Sequence, residues 1–218
     1  MSNPVVLVVG AGPGVSGSVA RRLGRDGYDV ALVGLDEAVL RELAESLESE
    51  GIEARWTAVD ITDAAAFTAV VEQFGEATGR IDVLHYNPSA FRQKSPLELT
   101  PEELGADVNL GVGALLTALQ AARPFMSPGG RVTATGSMAA DKPWNEAASL
   151  GVQKAGLRNL MHSIDTTLKP DGIRAVSVTV RGTLAREGPF TPDRVAEAIV
   201  SAATQDESDW QTEVPYSG

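Results

Sequence analysis

Val5-Val6-Leu7-Val8-Val9-Gly10-Ala11-Gly12-Pro13-Gly14-Val15-Ser16-Gly17 joins an unbroken apolar run to a cluster of glycines. Five apolar residues closed by glycine read as a strand buried on both faces. Residues 14–26 read as a helix. Glycines between two such elements let the backbone turn tightly and let a pyrophosphate approach, while the helix N-terminus favours its charge. Gly12-x-Gly14-x-x-Gly17 fits the general dinucleotide fingerprint. Gly10-x-Gly12-x-x-Val15 has flavin-type spacing but lacks the third glycine. Gly10-x-x-x-Gly14-x-Ser16 is a third spacing. The alternative to all three is a structural turn that packs the helix on the sheet.

Outward from this stretch, apolar runs alternate with helical patterns. Asp29–Val33, Ala54–Val59, Ile81–His85, Arg131–Thr135 and Ile173–Val180 read as further strands, and 211–215 as a short seventh. Helices are expected from Asp36 to about Glu50, from Asp63 to Thr78, from Thr100 to about Met126 with a break near Gly105, from about Ala147 to Leu168, and from Thr191 to about Ala203. Thr100-Pro101-Glu102-Glu103 combines a cap, a proline at the first helical position and an acid three residues after the cap. Strict alternation predicts a single α/β domain over 1–218: a doubly wound parallel sheet of about seven strands, with helices on both faces. Ligands of such sheets bind at the carboxyl ends of the strands where the strand order reverses.

Composition narrows the function classes. The chain has 218 residues and a net charge of −11, which argues against nucleic acid and anionic membrane as partners. No apolar run approaches a membrane span, and Met1-Ser2-Asn3-Pro4 has no basic region before an apolar run, so neither a span nor a secretory leader is expected. Zero cysteines exclude thiol chemistry and fit a reducing cytoplasm. Two histidines and no cysteine leave no metal cluster with convincing spacing.

Taken together, the motifs resemble the short-chain dehydrogenase/reductase family over nearly the whole chain. Gly10 and Gly14, with Gly12 and Val15 between and beside them, match its phosphate loop, with Ser16 in place of the last glycine. Asp60, followed by Ile61, matches the aspartate that holds adenine. Asn87 lies where the family has Asn-Asn-Ala-Gly. Asn109, Ser137 and Lys154 match three of its four active-site residues, Lys154 following Ser137 by 17 positions. The resemblance implies a Rossmann-type NAD(P)-binding oxidoreductase and a homodimer or homotetramer. In it the lysine grips the nicotinamide ribose and lowers the pKa of a tyrosine, the serine holds the substrate oxygen, and the asparagine orients a water.

The chain departs from that pattern at Leu150, in Leu150-Gly151-Val152-Gln153-Lys154, where the family carries the proton-transferring tyrosine. Leucine transfers no proton. Tyr86 is the best substitute phenol, with His85, Tyr216 and an ordered water behind it; the alternative for Tyr86 is packing on the cofactor or under a loop, and for His85 a satisfied histidine at a strand end. Catalysis by another donor, nucleotide binding without turnover in a regulator or partner subunit, and non-redox chemistry all remain open. The family's long lid after the sixth strand is nearly absent, since the last helix follows Val180-Arg181-Gly182-Thr183 closely. Arg181 is a candidate for an anionic group or a solvated arginine. No basic residue occupies Gly34-Leu35-Asp36 or Pro13, so NAD is favoured over NADP; Asp36 reads as a ribose-binding acid or a plain helix cap. Trp144 reads as a pocket wall or a packing residue.

Overall fold

The computed structural model describes residues 3–218; the first two residues of the leader reading lie outside it. Seven strands form one sheet in the order β3-β2-β1-β4-β5-β6-β7, every pair parallel. They are β1 (Val5–Val9), β2 (Asp29–Gly34), β3 (Ala54–Ala58), β4 (Val83–Tyr86), β5 (Arg131–Ser137), β6 (Arg174–Val180) and β7 (Glu213–Tyr216). The order reverses beside β1, which pairs with β2 on one side and β4 on the other. The doubly wound parallel sheet expected from the alternation is the architecture observed.

Period-two alternation in the strands divides the core. Leu7, Val9, Leu84 and Tyr86 face one layer, formed by α3 (Ala64–Thr78), α5 (Ala114–Ala122) and α6 (Ala148–Leu168). Val6, Val8, Leu32 and Val178 face the other, formed by α1 (Val15–Arg25), α2 (Glu37–Ser49) and α7 (Pro192–Ala203). Both faces are covered, which is why β1 is apolar at every position rather than at alternate ones.

Caps fix most helix starts. Asp36 accepts from the amides of Ala38 and Val39, Asp63 from those of Ala65 and Ala66, and Thr191 from that of Arg194. Thr100 and Glu103 close a reciprocal capping box at α4 (Pro101–Val108).

The expected break near Gly105 lies later. α4 passes into a π turn, Asn109–Gly113, and then into α5. Gly111 and Gly113 give that turn room: a Cβ at Gly111 would stand 2.6 Å from Gln153 Oε1, and one at Gly113 2.6 Å from Asn109 Oδ1. Joined in this way, Pro101–Phe125 becomes long and apolar enough to cross a membrane, a property that shorter apolar runs did not announce. Here it is a core helix, laying its inner face on α3 and α6.

Candidate active site at the strand-order reversal

The loops after β1 and β4 meet where the order reverses. Gly10 has φ +75°, and a Cβ there would lie 2.8 Å from the Pro88 ring. Gly17 is equally constrained, since its Cβ would stand 2.5 Å from the Gly12 carbonyl oxygen. Ser16 Oγ braces the loop by donating to the Gly10 carbonyl at 2.9 Å. By contrast, a Cβ at Gly12 or Gly14 would meet no protein atom within 4 Å. The protein needs Gly10 and Gly17 for its own packing, whereas the backbone at Gly12 and Gly14 is left open.

The first turn of α1 supports the same view. Gly14 is its N-cap and offers no side-chain oxygen; α6, opened by Ala147, is likewise uncapped, whereas α2, α3, α4 and α7 are capped by side chains. The amides that open α1 are therefore left for an external acceptor.

Beside them lies a cleft of about 370 Å³. Asn87, Ser137 and Lys154 line it together with Val15, Leu150 and Leu184. Ser137 ends β5, and its Oγ accepts from the Ala139 amide at 3.2 Å, leaving its hydroxyl proton to donate elsewhere. Lys154 reaches in from α6 and donates to the Thr135 carbonyl at 2.8 Å. Burial, which penalises the ammonium, pushes its pKa down to about 8. Leu150, one helical turn earlier, presents an aliphatic wall at the place where a phenol would stand beside Lys154.

Two expected residues are not in this cleft. Tyr86 is fully buried under the helical layer and donates its hydroxyl to the Leu110 carbonyl in the π turn. Burial raises its pKa well beyond the ordinary tyrosine value. It alternates away from the cleft into the α5 and α6 core, so its role is packing rather than proton transfer. Asn109 opens the π turn, is exposed, and rests its Oδ1 over Gly113; its carbonyl accepts from the Ala114 amide. It does not line the cleft that holds Lys154.

The lesser proton donors also fall away. His85 is buried on the opposite sheet face, with Nδ1 2.9 Å from Thr133 Oγ1, and burial lowers its pKa to about 3. Tyr216 donates to the Pro189 carbonyl at the end of the sheet.

Beyond the carboxyl end of β3, Ile61 is buried in the core and Asp60 is exposed. Asp60 Oδ1 accepts from the Thr62 amide and hydroxyl at 2.9 and 2.7 Å, and these bonds lower its pKa. Asp36 uses Oδ1 to cap α2. Arg181 is exposed and lies beside Asp141 and Lys142 rather than in the cleft.

The structure adds residues that no motif marked. Gln153, fully buried, clamps the loop after β4: its Oε1 accepts from the Ala90 amide at 2.9 Å and its Nε2 donates to the Ala90 carbonyl at 3.1 Å. Arg92 grips Asp107 with two bonds of 3.1 and 3.0 Å, and Ser149 donates to the same carboxylate at 2.7 Å. The Arg92 bonds, aided by Ser149 and opposed by burial, hold Asp107 ionised below its usual range. This clamp holds Ser89 and Phe91 at the cleft, and Phe91 stacks on Trp144 at 5.9 Å. Trp144 itself lines a neighbouring apolar groove with Leu99, Leu104 and Val152. An aromatic residue in an otherwise polar loop was the only sequence signal for Phe91.

Residues 181–191, between β6 and α7, carry no helix or strand. This segment is tied to β7: the Arg181 amide donates to the Tyr216 carbonyl at 2.8 Å, and Phe190 meets the Tyr216 ring edge-on at 5.7 Å.

Known proteins are similar to this chain in sequence and fold. The profile of the short chain dehydrogenase family matches residues 4–186. L-2,3-butanediol dehydrogenase of Corynebacterium glutamicum is 28% identical over 77% of this chain and 67% of its own length. The short-chain dehydrogenase/reductase eriH of Hericium erinaceus is 31% identical over 79% and 71%. A short chain dehydrogenase from Burkholderia cenocepacia, solved in complex with NADP, superposes with a TM-score of 0.89 at 26% identity, covering 97% of this chain and 95% of that one. A metagenomic short-chain oxidoreductase in complex with NADP gives 0.87 at 27%, covering 99% and 97%. With its glycine loop, serine and lysine meeting where the strand order reverses, the chain belongs to the short-chain dehydrogenase family.

Proposed function

We propose that the protein is an NAD(P)-binding oxidoreductase of this family whose active site lacks the usual proton donor. The uncapped start of α1 over the open backbone at Gly12 and Gly14 carries the binding half of this reading. These residues fit a pyrophosphate, Lys154 fits the nicotinamide ribose, and Asp60 and Ile61 lie on the adenine side. When bound, the dinucleotide supplies or accepts hydride at its nicotinamide. Ser137 holds a substrate oxygen, while Val15, Phe91, Leu150 and Leu184 favour an apolar substrate. Leu150 supports a second reading, a nucleotide-binding regulator without turnover.

NAD is the favoured form, because the end of β2 offers exposed Leu35 and the acid Asp36 but no cation for a 2′-phosphate. We place the protein in the cytoplasm, as a homodimer or homotetramer joined through α4–α5 and α6, where Leu116 and Val152 are exposed.

Calorimetry with NAD, NADH, NADP and NADPH should give saturable binding to at least one; silence from all four would end the proposal. Gly12→Ala sharpens the test. Its Cβ meets no protein atom, so stability should stay within about 0.5 kcal/mol. Dinucleotide affinity should fall roughly tenfold, about 1.4 kcal/mol. Unchanged affinity would place the pyrophosphate elsewhere.

A further inference from the structure

Lys154 has an environment that the dinucleotide reading does not exhaust. Its side chain is almost wholly buried, its one hydrogen bond runs to the neutral Thr135 carbonyl, and no Asp or Glu lines the cleft. The acids on elements packed around α6 are engaged elsewhere: Asp107 with Arg92, Glu103 with Lys94, Asp141 and Glu213 with Arg158, Asp165 with Arg174. Arg158, the next cation along α6, is thereby balanced. With Leu150 in place of a phenol, no acidic hydroxyl from that position shares the amine. A desolvated lysine in an apolar pocket without a counter-ion is the environment that makes amines nucleophilic.

We propose that Lys154 is a carbonyl-capturing amine, condensing with an apolar aldehyde or ketone that enters the cleft. The nitrogen lone pair forms the C–N bond as the carbonyl π bond breaks onto oxygen. That oxygen takes a proton and the nitrogen loses one, giving a carbinolamine. Protonation of its hydroxyl and loss of water leave the iminium, which releases its N–H proton to give the imine. The balance is amine plus carbonyl to imine plus water, with no change of oxidation state. Ser137 has a free hydroxyl proton for the carbonyl oxygen, and Val15, Leu150 and Leu184 receive an apolar tail.

The shift of the Lys154 ammonium to about 8 agrees. Near that pH about half of such an amine is neutral, against well under about 1% of an ordinary lysine.

The test is reductive trapping. The full chain is incubated near pH 8 with hexanal or benzaldehyde and cyanoborohydride, and alkylation is mapped by peptide mass spectrometry. Lys154 should be labelled at least tenfold faster than Lys94, Lys142 and Lys169, and unfolding in urea should erase that advantage. Lys154 labelled no faster than the other three overturns the proposal. Leu150→Tyr keeps the lysine but places a phenol beside it, and should slow trapping several-fold; undiminished trapping there would mean that the amine is reached from outside the cleft and would also overturn it. Saturating dinucleotide separates this proposal from the cofactor reading. Selective labelling without protection leaves the amine's role standing and counts against the cofactor pose, whereas dinucleotide binding with Lys154 unlabelled removes the capture role alone.

Discussion

Leu150→Tyr is expected to raise dehydrogenase turnover by ~10²–10⁴-fold, the contribution of a positioned acid or base. The substitution restores a group rather than inventing a site. Leu150 already lines the cleft, one helical turn from Lys154, with Ser137 across from it. A phenol there would have the Lys154 ammonium as a neighbour, and a nearby positive charge favours the phenolate. That support lasts only while the amine is charged, so it fades as the pH rises through about 8. The measurement is a screen of apolar alcohols and carbonyls, read by nicotinamide absorbance, on both proteins. Fast turnover by the unsubstituted chain, unchanged by the tyrosine, would show that the proton comes from another group and that Leu150 is incidental.

Asp165→Asn is expected to cost up to about 3–5 kcal/mol of stability, because it takes the two-bond partner from buried Arg174 and leaves that cation only the exposed Glu207, at 2.6 Å. The Asp165 carboxylate on α6 accepts from Arg174 Nε and Nη2, both at 2.9 Å, from the Ala175 amide at 2.8 Å and from Thr212 Oγ1 at 3.1 Å. It thus ties α6 to β6 and to the segment before β7. For a domain of this size the loss corresponds to a drop in Tm of roughly 6–20 °C. Replacing the pair together, Asp165→Leu with Arg174→Met, should cost much less, since no charge is left alone.

The pH dependence follows from the sign of the shift. Burial opposes ionisation of Asp165, but the bonds from Arg174 and Ala175 outweigh it and its pKa is lowered. A depressed carboxylate stabilises the fold fully above its unfolded value, about 3.9, and loses that contribution as pH falls through the folded value. The gap between the original chain and Asp165→Asn should therefore be widest at neutral pH and narrow below about pH 4. Urea titrations at several pH values measure it; a gap that does not narrow in acid would mean that the carboxylate's charge is not what matters.

Most of the framework was legible because its signals are local. β1 announces itself by five apolar residues, α4 by its capping box, and the turn after β1 by its glycines. Those signals place the loops that hold Asn87, Ser137 and Lys154. What was not legible depends on direction. The π turn at Asn109–Gly113 inserts into an otherwise α-helical stretch without a motif of its own. Tyr86 ends a strand at the right edge of the sheet, but strand alternation sends it into the core. Gln153 adjoins Lys154 in sequence, yet the helical rotation between them sends one side chain to the loop after β4 and the other into the cleft. Such outcomes are set by tertiary packing, which short motifs do not encode.

The tether between residues 181–191 and β7 governs timing as well as shape. A mobile cover makes an enzyme wait, since each cycle includes an opening that often limits its rate. Here the Tyr216 hydroxyl and ring hold Pro189 and Phe190 in place. The segment is thereby pinned to β7 while Gly182 and Leu184 line the cleft. Entry to and exit from the site are then expected not to wait on an opening of this segment.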